Sequence, residues 1–189
     1  MKAGLWQIVC PMMLLAAAGC ASSRSRSLWV HRHGGLAAEG DQQRVQRVTM
    51  PLLAKYSTNG HRLSAQVLDT DVLGAFGWRD GEIYITRGLA DLLDDEELAA
   101  VVAHELGHLL DHGHVRAMVG LQGCKQDLDA ETRADVIGIE VLRQQGISSN
   151  ALPRMLERII TSDKWPPECH ERLRQRLERL SQRGETATR

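Results

Sequence analysis

The segment His104-Glu105-Leu106-Gly107-His108 brings two imidazoles and a carboxylate together in a very short stretch. On a helix, histidines at i and i+4 project from one face about one turn apart, a bite that suits a tetrahedral zinc ion. A Glu beside them is placed to take a proton from metal-bound water. Leu98, Val101, Val102, Leu106, Leu109 and Leu110 give the same helix a broad apolar surface. Burying two imidazoles and a carboxylate in such a helix is costly without a partner, and a metal supplies one. Gly107 costs roughly 1 kcal/mol of helix stability against Ala. In exchange it would let another segment approach closely.

A catalytic zinc has three protein ligands and one open position. Glu131-Thr132-Arg133-Ala134-Asp135 offers two carboxylates at i and i+4. Glu131 is expected to bind the metal while Asp135 accepts a hydrogen bond from a ligating imidazole and fixes its tautomer. The rival third ligand is His114, six residues after His108. That arrangement needs a Gly three residues after the second His, where this chain has Asp111. Glu131 is therefore the preferred ligand. A site using an upstream Cys ligand is disfavoured, because the mature upstream region has none beyond Cys20.

These residues need helices to hold them. Asp94 can cap a helix reciprocally with Glu97, and the acidic run Asp94-Asp95-Glu96-Glu97 suits the positive end of its dipole. The pattern predicts helices over about 95–112, 128–145, 152–161 and 171–182, with Gly146 as a stop after the second. Val45, Val48, Leu52 and Leu53 recur at helical spacing around Pro51. Residues 63–68 alternate as a strand does, and Glu82-Ile83-Tyr84-Ile85-Thr86 follows the turn signal Asp80-Gly81. Few strands followed by several helices argue an α+β fold.

The chain has 189 residues, 43% hydrophobic and 25% charged, which suits one catalytic domain with short appendages. Lys and Arg number 23 against 24 Asp and Glu, so net charge gives no case for nucleic acid. Residues 1–19 carry Lys2, an apolar run and the small residues Ala17-Ala18-Gly19, the pattern of an export signal. Cys20 directly after them resembles the lipidation site of bacterial lipoproteins, and Ala21 resembles the sorting position of those sent to the outer membrane. An uncleaved membrane anchor is the alternative, although the run falls short of a comfortable span. Residues 20–40, Ser- and Arg-rich and then Gly-rich, are expected to be a lipidated flexible tether, with 41–183 the folded domain and 184–189 a disordered tail. Outside the cytoplasm, Cys124 and Cys169 are expected to pair. That bond would close a loop of about 45 residues, worth on the order of 4 kcal/mol. Two unpaired buried thiols are the alternative.

Gly74-Ala75-Phe76, Gly81 through Leu89, His104 through His108, and Glu131-x-x-Ala134-Asp135 stand in an order that resembles the HtpX/CAAX-prenyl-protease type of gluzincin metallopeptidase. The small periplasmic lipoprotein members are the most similar, and the likeness runs over roughly residues 41–181. It implies a zincin-like fold, mainly helical, with a small sheet whose edge strand precedes the active-site helix. It also implies one Zn²⁺ per chain on His104, His108 and Glu131, with Glu105 as the base. Glu82, Ile83, Tyr84, Ile85 and Thr86 would then be the edge strand to which substrate adds. His170 and Arg176 match the family's C-terminal His and Arg in spacing. His170 would approach the metal as a regulatory fourth ligand, and Arg176 would stabilise an oxyanion or pair with a carboxylate. The implied activity is cleavage of unfolded or misassembled envelope proteins by an outer-membrane lipoprotein facing the periplasm. The alternative is a non-catalytic zinc-containing lipoprotein acting as a chaperone or outer-membrane assembly adaptor.

Overall fold

The computed structural model describes residues 25–57, 62–78, 81–112 and 127–187. The export signal, Cys20, His61, His114 and Cys124 lie outside these residues. The elements in chain order are α1 (25–32), α2 (Glu39–Tyr56), β1 (Ser64–Leu68), β2 (Ala75–Gly77), β3 (Glu82–Thr86), α3 (Arg87–Leu92), α4 (Asp95–His112), α5 (Leu128–Gln144), α6 (Ala151–Thr161), a 3₁₀ turn (Pro167–Cys169) and α7 (His170–Ala187). The fold is α+β, mainly helical with one small sheet. No helix among the described residues is long and apolar enough to cross a membrane.

Helix α4 is central because its sequence is apolar almost all round. Leu98, Ala99, Ala100, Val102, Ala103 and Leu106 are all buried, and fully burying each Leu or Val contributes about 1.5–3 kcal/mol. Its start is fixed by the expected reciprocal cap. Glu97 N donates to Asp94 Oδ1 at 2.8 Å, and Asp94 N donates to Glu97 Oε2 at 3.0 Å. Arg158 of α6 then neutralises the buried Glu97 carboxylate, with Nε 2.7 Å from Oε2. Helix α6 buries Leu152, Met155, Leu156 and Ile159 at the i, i+3, i+4, i+7 spacing of an amphipathic helix.

The sheet order is β1-β3-β2, with β1 parallel and β2 antiparallel to β3. This corrects one expectation. Glu82–Thr86 is the central strand, hydrogen-bonded on both sides, and is not an edge to which a peptide could add. The outer side of β1 is also occupied. Ala37 N donates to Val67 O at 2.9 Å, while the buried Gln42 side chain receives Val67 N at 2.9 Å and donates to Val67 O at 2.8 Å. Gln42 thus acts as an extra peptide group along β1. Among the described residues no strand pairs with the outer edge of β2, whose three residues are all buried.

The stretch expected to be a flexible tether is helical over 25–32. Trp29 and Val30 pack on the sheet face formed by Leu68, Phe76 and Tyr84. The Trp29 ring lies 5.3 Å from Phe76 and Trp78 and 5.5 Å from Tyr84, and it stacks on His33 at 4.2 Å. Burial of an indole drives order in a segment whose Ser and Arg content suggested none.

Candidate metal centre and active site

Helix α5 lies against α4 along small residues. A Cβ on Gly107 would fall 2.3 Å from Ala134 O, and one on Gly138 would fall 3.1 Å from the Ala103 carbonyl. The close approach anticipated for Gly107 is therefore present, and α5 provides the approaching backbone. It brings the i, i+4 pair of α5 opposite the i, i+4 pair of α4. His104, His108 and Glu131 can each offer one ligand atom within 4.8 Å of the others.

The spacing is close enough for one ion to join all three side chains. His104 Nε2 and His108 Nε2 are 3.2 Å apart. Glu131 Oε2 lies 3.3 Å from His104 Nε2, and Oε1 lies 3.2 Å from His108 Nε2. Metal–ligand bonds of about 2.0–2.1 Å at the tetrahedral angle place neighbouring donors about 3.3–3.4 Å apart. The two imidazole rings stand almost perpendicular, at 84°. Both carboxylate oxygens of Glu105 are buried without a hydrogen-bond partner among the described residues. Such atoms are costly unless something polar joins them. The donor set, two imidazoles and one carboxylate, is one that catalytic zinc uses.

Behind the cluster a second layer fixes its orientation. His104 Nδ1 donates to Asp135 Oδ1 at 2.8 Å, which leaves the Nε2 lone pair facing the centre. Arg176 grips the same carboxylate with both ends of its fork: Nη2 donates to Oδ1 at 2.6 Å and Nε donates to Oδ2 at 2.9 Å. Its Nη1 forms an ion pair with Glu131 Oε2 at 3.1 Å. Arg176 is 3% exposed and Asp135 fully buried, so these charges meet with little solvent between them. Of the two roles considered for Arg176, this geometry provides the pairing one. Its guanidinium holds the Glu131 ligand carboxylate and the Asp135 carboxylate behind it. Arg176 reaches this place because it lies at i+3 from Leu173 and i−4 from Leu180, both buried on the inner face of α7.

The protonation pattern follows from these contacts. Burial and the Arg176 charge push His104 down, yet Asp135 and Glu131 outweigh them and its pKa is pushed up to about 9. Burial would raise Glu131, but the bonds to His104 and His108 and the charge of Arg176 hold it well below the usual carboxylate range. Burial pushes the Glu105 carboxyl up, with the Glu131 charge adding to it, against the pull of both histidines. A carboxyl raised above its ordinary range accepts a proton more readily than an ordinary one, which suits a base beside a metal site.

His170 is not part of the cluster. It begins α7 half-buried, and its Nε2 sits 3.3 Å from Trp165 O, drawn toward the preceding loop rather than the centre. The fourth-ligand expectation is corrected accordingly. Cys169 is disulfide-bonded, while Cys124, its expected partner, lies outside the described residues.

Thr86 and Gly74, both marked by the sequence, are joined by a link that the sequence did not reveal. Thr86 caps α3 and also ties β3 to the start of β2: Gly74 N donates to Thr86 Oγ1, and Thr86 Oγ1 donates to Gly74 O, both at 3.0 Å. Gly74 and Ala75 in turn line the pocket that contains His104 and Glu105. The clue was the Gly-Ala-Phe run, too short to read as a strand by alternation.

A family model described as Peptidase family M48 matches residues 39–159, which contain His104, Glu105, His108, Glu131 and Asp135. The chain is similar to the Beta-barrel assembly-enhancing protease of Yersinia pestis, 27% identical over 172 residues that cover 62% of this chain and 35% of that protein. It is also similar to Metalloprotease YcaL of Escherichia coli (strain K12), 24% identical over 138 residues, 56% of this chain and 54% of the relative. A short stretch of 30 residues is 53% identical to a Protease HtpX homolog of Methanothermobacter thermautotrophicus, covering 16% of this chain and 12% of that one. The chain thus spans about a third to a half of the length of the first two relatives. With the family model covering well over half of its residues, this chain belongs to peptidase family M48.

Proposed function

We propose that the chain is a zinc-dependent endopeptidase acting on extended segments of unfolded or misassembled cell-envelope proteins. The observation that carries this reading is the cluster of His104, His108 and Glu131, each offering a ligand atom within 4.8 Å of the others, beside the buried Glu105 carboxylate, which has no hydrogen-bond partner among the described residues. His104, His108 and Glu131 would hold one Zn²⁺. Bound there, zinc supplies Lewis acidity toward the scissile carbonyl and makes water a nucleophile at neutral pH. Glu105 would take a proton from the attacking water and deliver it to the departing amine, so that no proton is gained or lost overall. Asp135 keeps the His104 proton on Nδ1, and Arg176 holds Asp135 and Glu131 in register while balancing their charge.

The peptide would add as a strand along the outer edge of β2, with which no strand pairs among the described residues, because Gly74 and Ala75 line the active-site pocket. That requirement for an extended backbone selects unfolded segments over folded ones. The name of the Yersinia pestis relative, a protease that enhances β-barrel assembly, supports envelope proteins as the substrate class. Lipidation at Cys20 and attachment to the periplasmic face of the outer membrane belong to the same proposal, resting on the sequence pattern there.

A non-catalytic role as a zinc-containing chaperone or assembly adaptor would use a structural ion with four protein ligands. Three ligands gather among the described residues, which favours the catalytic reading. Cleavage of unfolded casein, tested beside zinc content, decides between them. The proposal expects cleavage that a chelator abolishes and zinc restores. Stoichiometric zinc in a purified protein that leaves casein intact would support the adaptor instead.

A further inference from the structure

Helix α1 is fixed to the domain on one side. Trp29 and Val30 pack on Leu68, Phe76 and Tyr84, and Arg26 Nη1 stands 3.9 Å from Glu82 Oε2. The segment after the helix is tied to β1, where Asp69 N donates to Gly35 O at 3.0 Å and Ala37 N donates to Val67 O at 2.9 Å. The other side of α1 faces solvent. Ser25, Leu28, His31 and Arg32 recur there at helical spacing and are all exposed, Leu28 by 58%. Leu36, 54% exposed, borders an open groove of about 380 Å³ beside the helix, together with Arg26, Ser27 and His31. A single exposed leucine is ordinary. Here His31 connects two of them, one turn from Leu28 and on the rim of the groove that Leu36 borders. The surrounding charge has one sign: from Cys20 to Ala38 the chain carries Arg24, Arg26 and Arg32 and no Asp or Glu.

Ser25 follows Cys20 by five residues, so the start of α1 lies no more than about 17 Å from that cysteine. Resting on the lipidation at Cys20 put forward above, we propose that the outward face of α1, with Leu36, is a docking surface for an anionic phospholipid bilayer. Leu28 and Leu36 enter the acyl boundary and Arg32 meets headgroup phosphates. Acyl chains alone would leave the domain free to turn on its leash, whereas a docked α1 fixes which face it shows to the membrane. The sheet then stands between the bilayer and the metal centre. Leu68, Phe76 and Tyr84 face α1, while Val67, Ala75, Ile83 and Ile85 belong to the core that includes Val102 and Leu106 of α4. The metal-bearing helix is thereby turned away from the lipid, and substrates reach it from the aqueous side.

The test uses the full chain purified from membranes and reconstituted into vesicles of phosphatidylethanolamine and phosphatidylglycerol that contain an alkyne-tagged phospholipid. A photoreactive benzophenone residue replaces Leu28 or, as a control, Met50, which is 62% exposed on α2. Mass spectrometry of the N-terminal peptide reads acylation of Cys20 in the same samples. After irradiation, position 28 is expected to capture several-fold more lipid than position 50. Arg32→Glu should remove most of that excess, because it sets a negative charge against the headgroups. Excess capture that Arg32→Glu leaves unchanged reflects the tether alone and overturns the docking surface. Equal capture at the two positions by an acylated chain also overturns it and leaves the lipidation reading standing. So does a crosslink from position 28 to a second copy of the chain in place of lipid. Preferred capture at position 28, sensitive to Arg32→Glu, by a chain without acyl groups upholds the docking surface and overturns lipidation at Cys20. No acyl group and no preferred capture overturn both.

Discussion

Gly107 and Ala134 meet so closely that no Cβ fits between them: one added at 107 would lie 2.3 Å from Ala134 O and 2.8 Å from its Cα. This contact sets the distance between the helix that carries the two histidines and the helix that carries Glu131. Helix propensity and packing therefore oppose each other at position 107. Gly107→Ala would gain about 1 kcal/mol of intrinsic helix stability. The clash is with backbone, which cannot turn aside as a side chain can. Packing wins, and the substitution should lower the melting temperature and reduce zinc bound per chain. Gly138→Ala, whose nearest contacts would be 3.1 Å, should be milder on both counts. Thermal unfolding beside metal analysis compares the two.

Asp135 should matter to the metal without touching it. Asp135→Asn keeps the size but removes the charge that orients His104, and zinc affinity should fall about 10–100-fold, measured by competition with a chromophoric chelator. Arg176→Met should be harsher for the fold, because it leaves Asp135 and Glu131 buried without their cation. Breaking a buried pair from one side costs about 3–5 kcal/mol, to be read from denaturant unfolding of the metal-free protein. An affinity unchanged in Asp135→Asn would remove the orienting role.

Metal binding should release protons at neutral pH. In the metal-free protein His104 stays protonated up to about 9, whereas a ligating imidazole must be neutral. Near pH 7.5 the incoming ion therefore displaces a proton that an ordinary histidine would already have lost. Titration calorimetry in buffers of different ionisation enthalpy should report close to one proton released per zinc, falling as pH rises through 9. The same raised value makes His104 stabilise the metal-free fold fully below its ordinary value of 6.5 and progressively less as pH rises to about 9.

The reciprocal cap at the start of α4 can be tested by Asp94→Ala. It removes the oxygen that accepts Glu97 N at 2.8 Å, and a loss of about 1 kcal/mol is expected from denaturant unfolding. Zinc binding should persist, since the cap lies more than two turns from His104.

What the sequence made legible was periodic and local. His104 and His108, and Glu131 and Asp135, are each one helical turn apart, so their faces follow once helices are assumed. Gly107 signalled a close approach because it is a poor helix residue in a good helix. The missing parts were non-local. That β1 pairs in parallel with β3, placing β3 between its neighbours, leaves no trace in the local pattern of Glu82–Thr86. Gln42 along β1 is a side chain imitating a strand, which no alternation reveals. Residues 25–32 are Ser- and Arg-rich, and their order rests on Trp29 meeting Phe76 and Tyr84 from far along the chain. His170 has the family spacing, yet spacing alone does not tell which way an imidazole turns at the start of a helix.

The most direct measurement is casein hydrolysis by the zinc-loaded Glu105→Gln protein beside wild type, with zinc content and unfolding followed in the same samples. The account expects zinc still bound and the fold intact, since Glu105 is buried beside the ligands and is not one of them. Hydrolysis should fall by at least about 10²–10⁴-fold, the contribution of a positioned acid and base. Undiminished hydrolysis by a folded, zinc-loaded Glu105→Gln protein would contradict it.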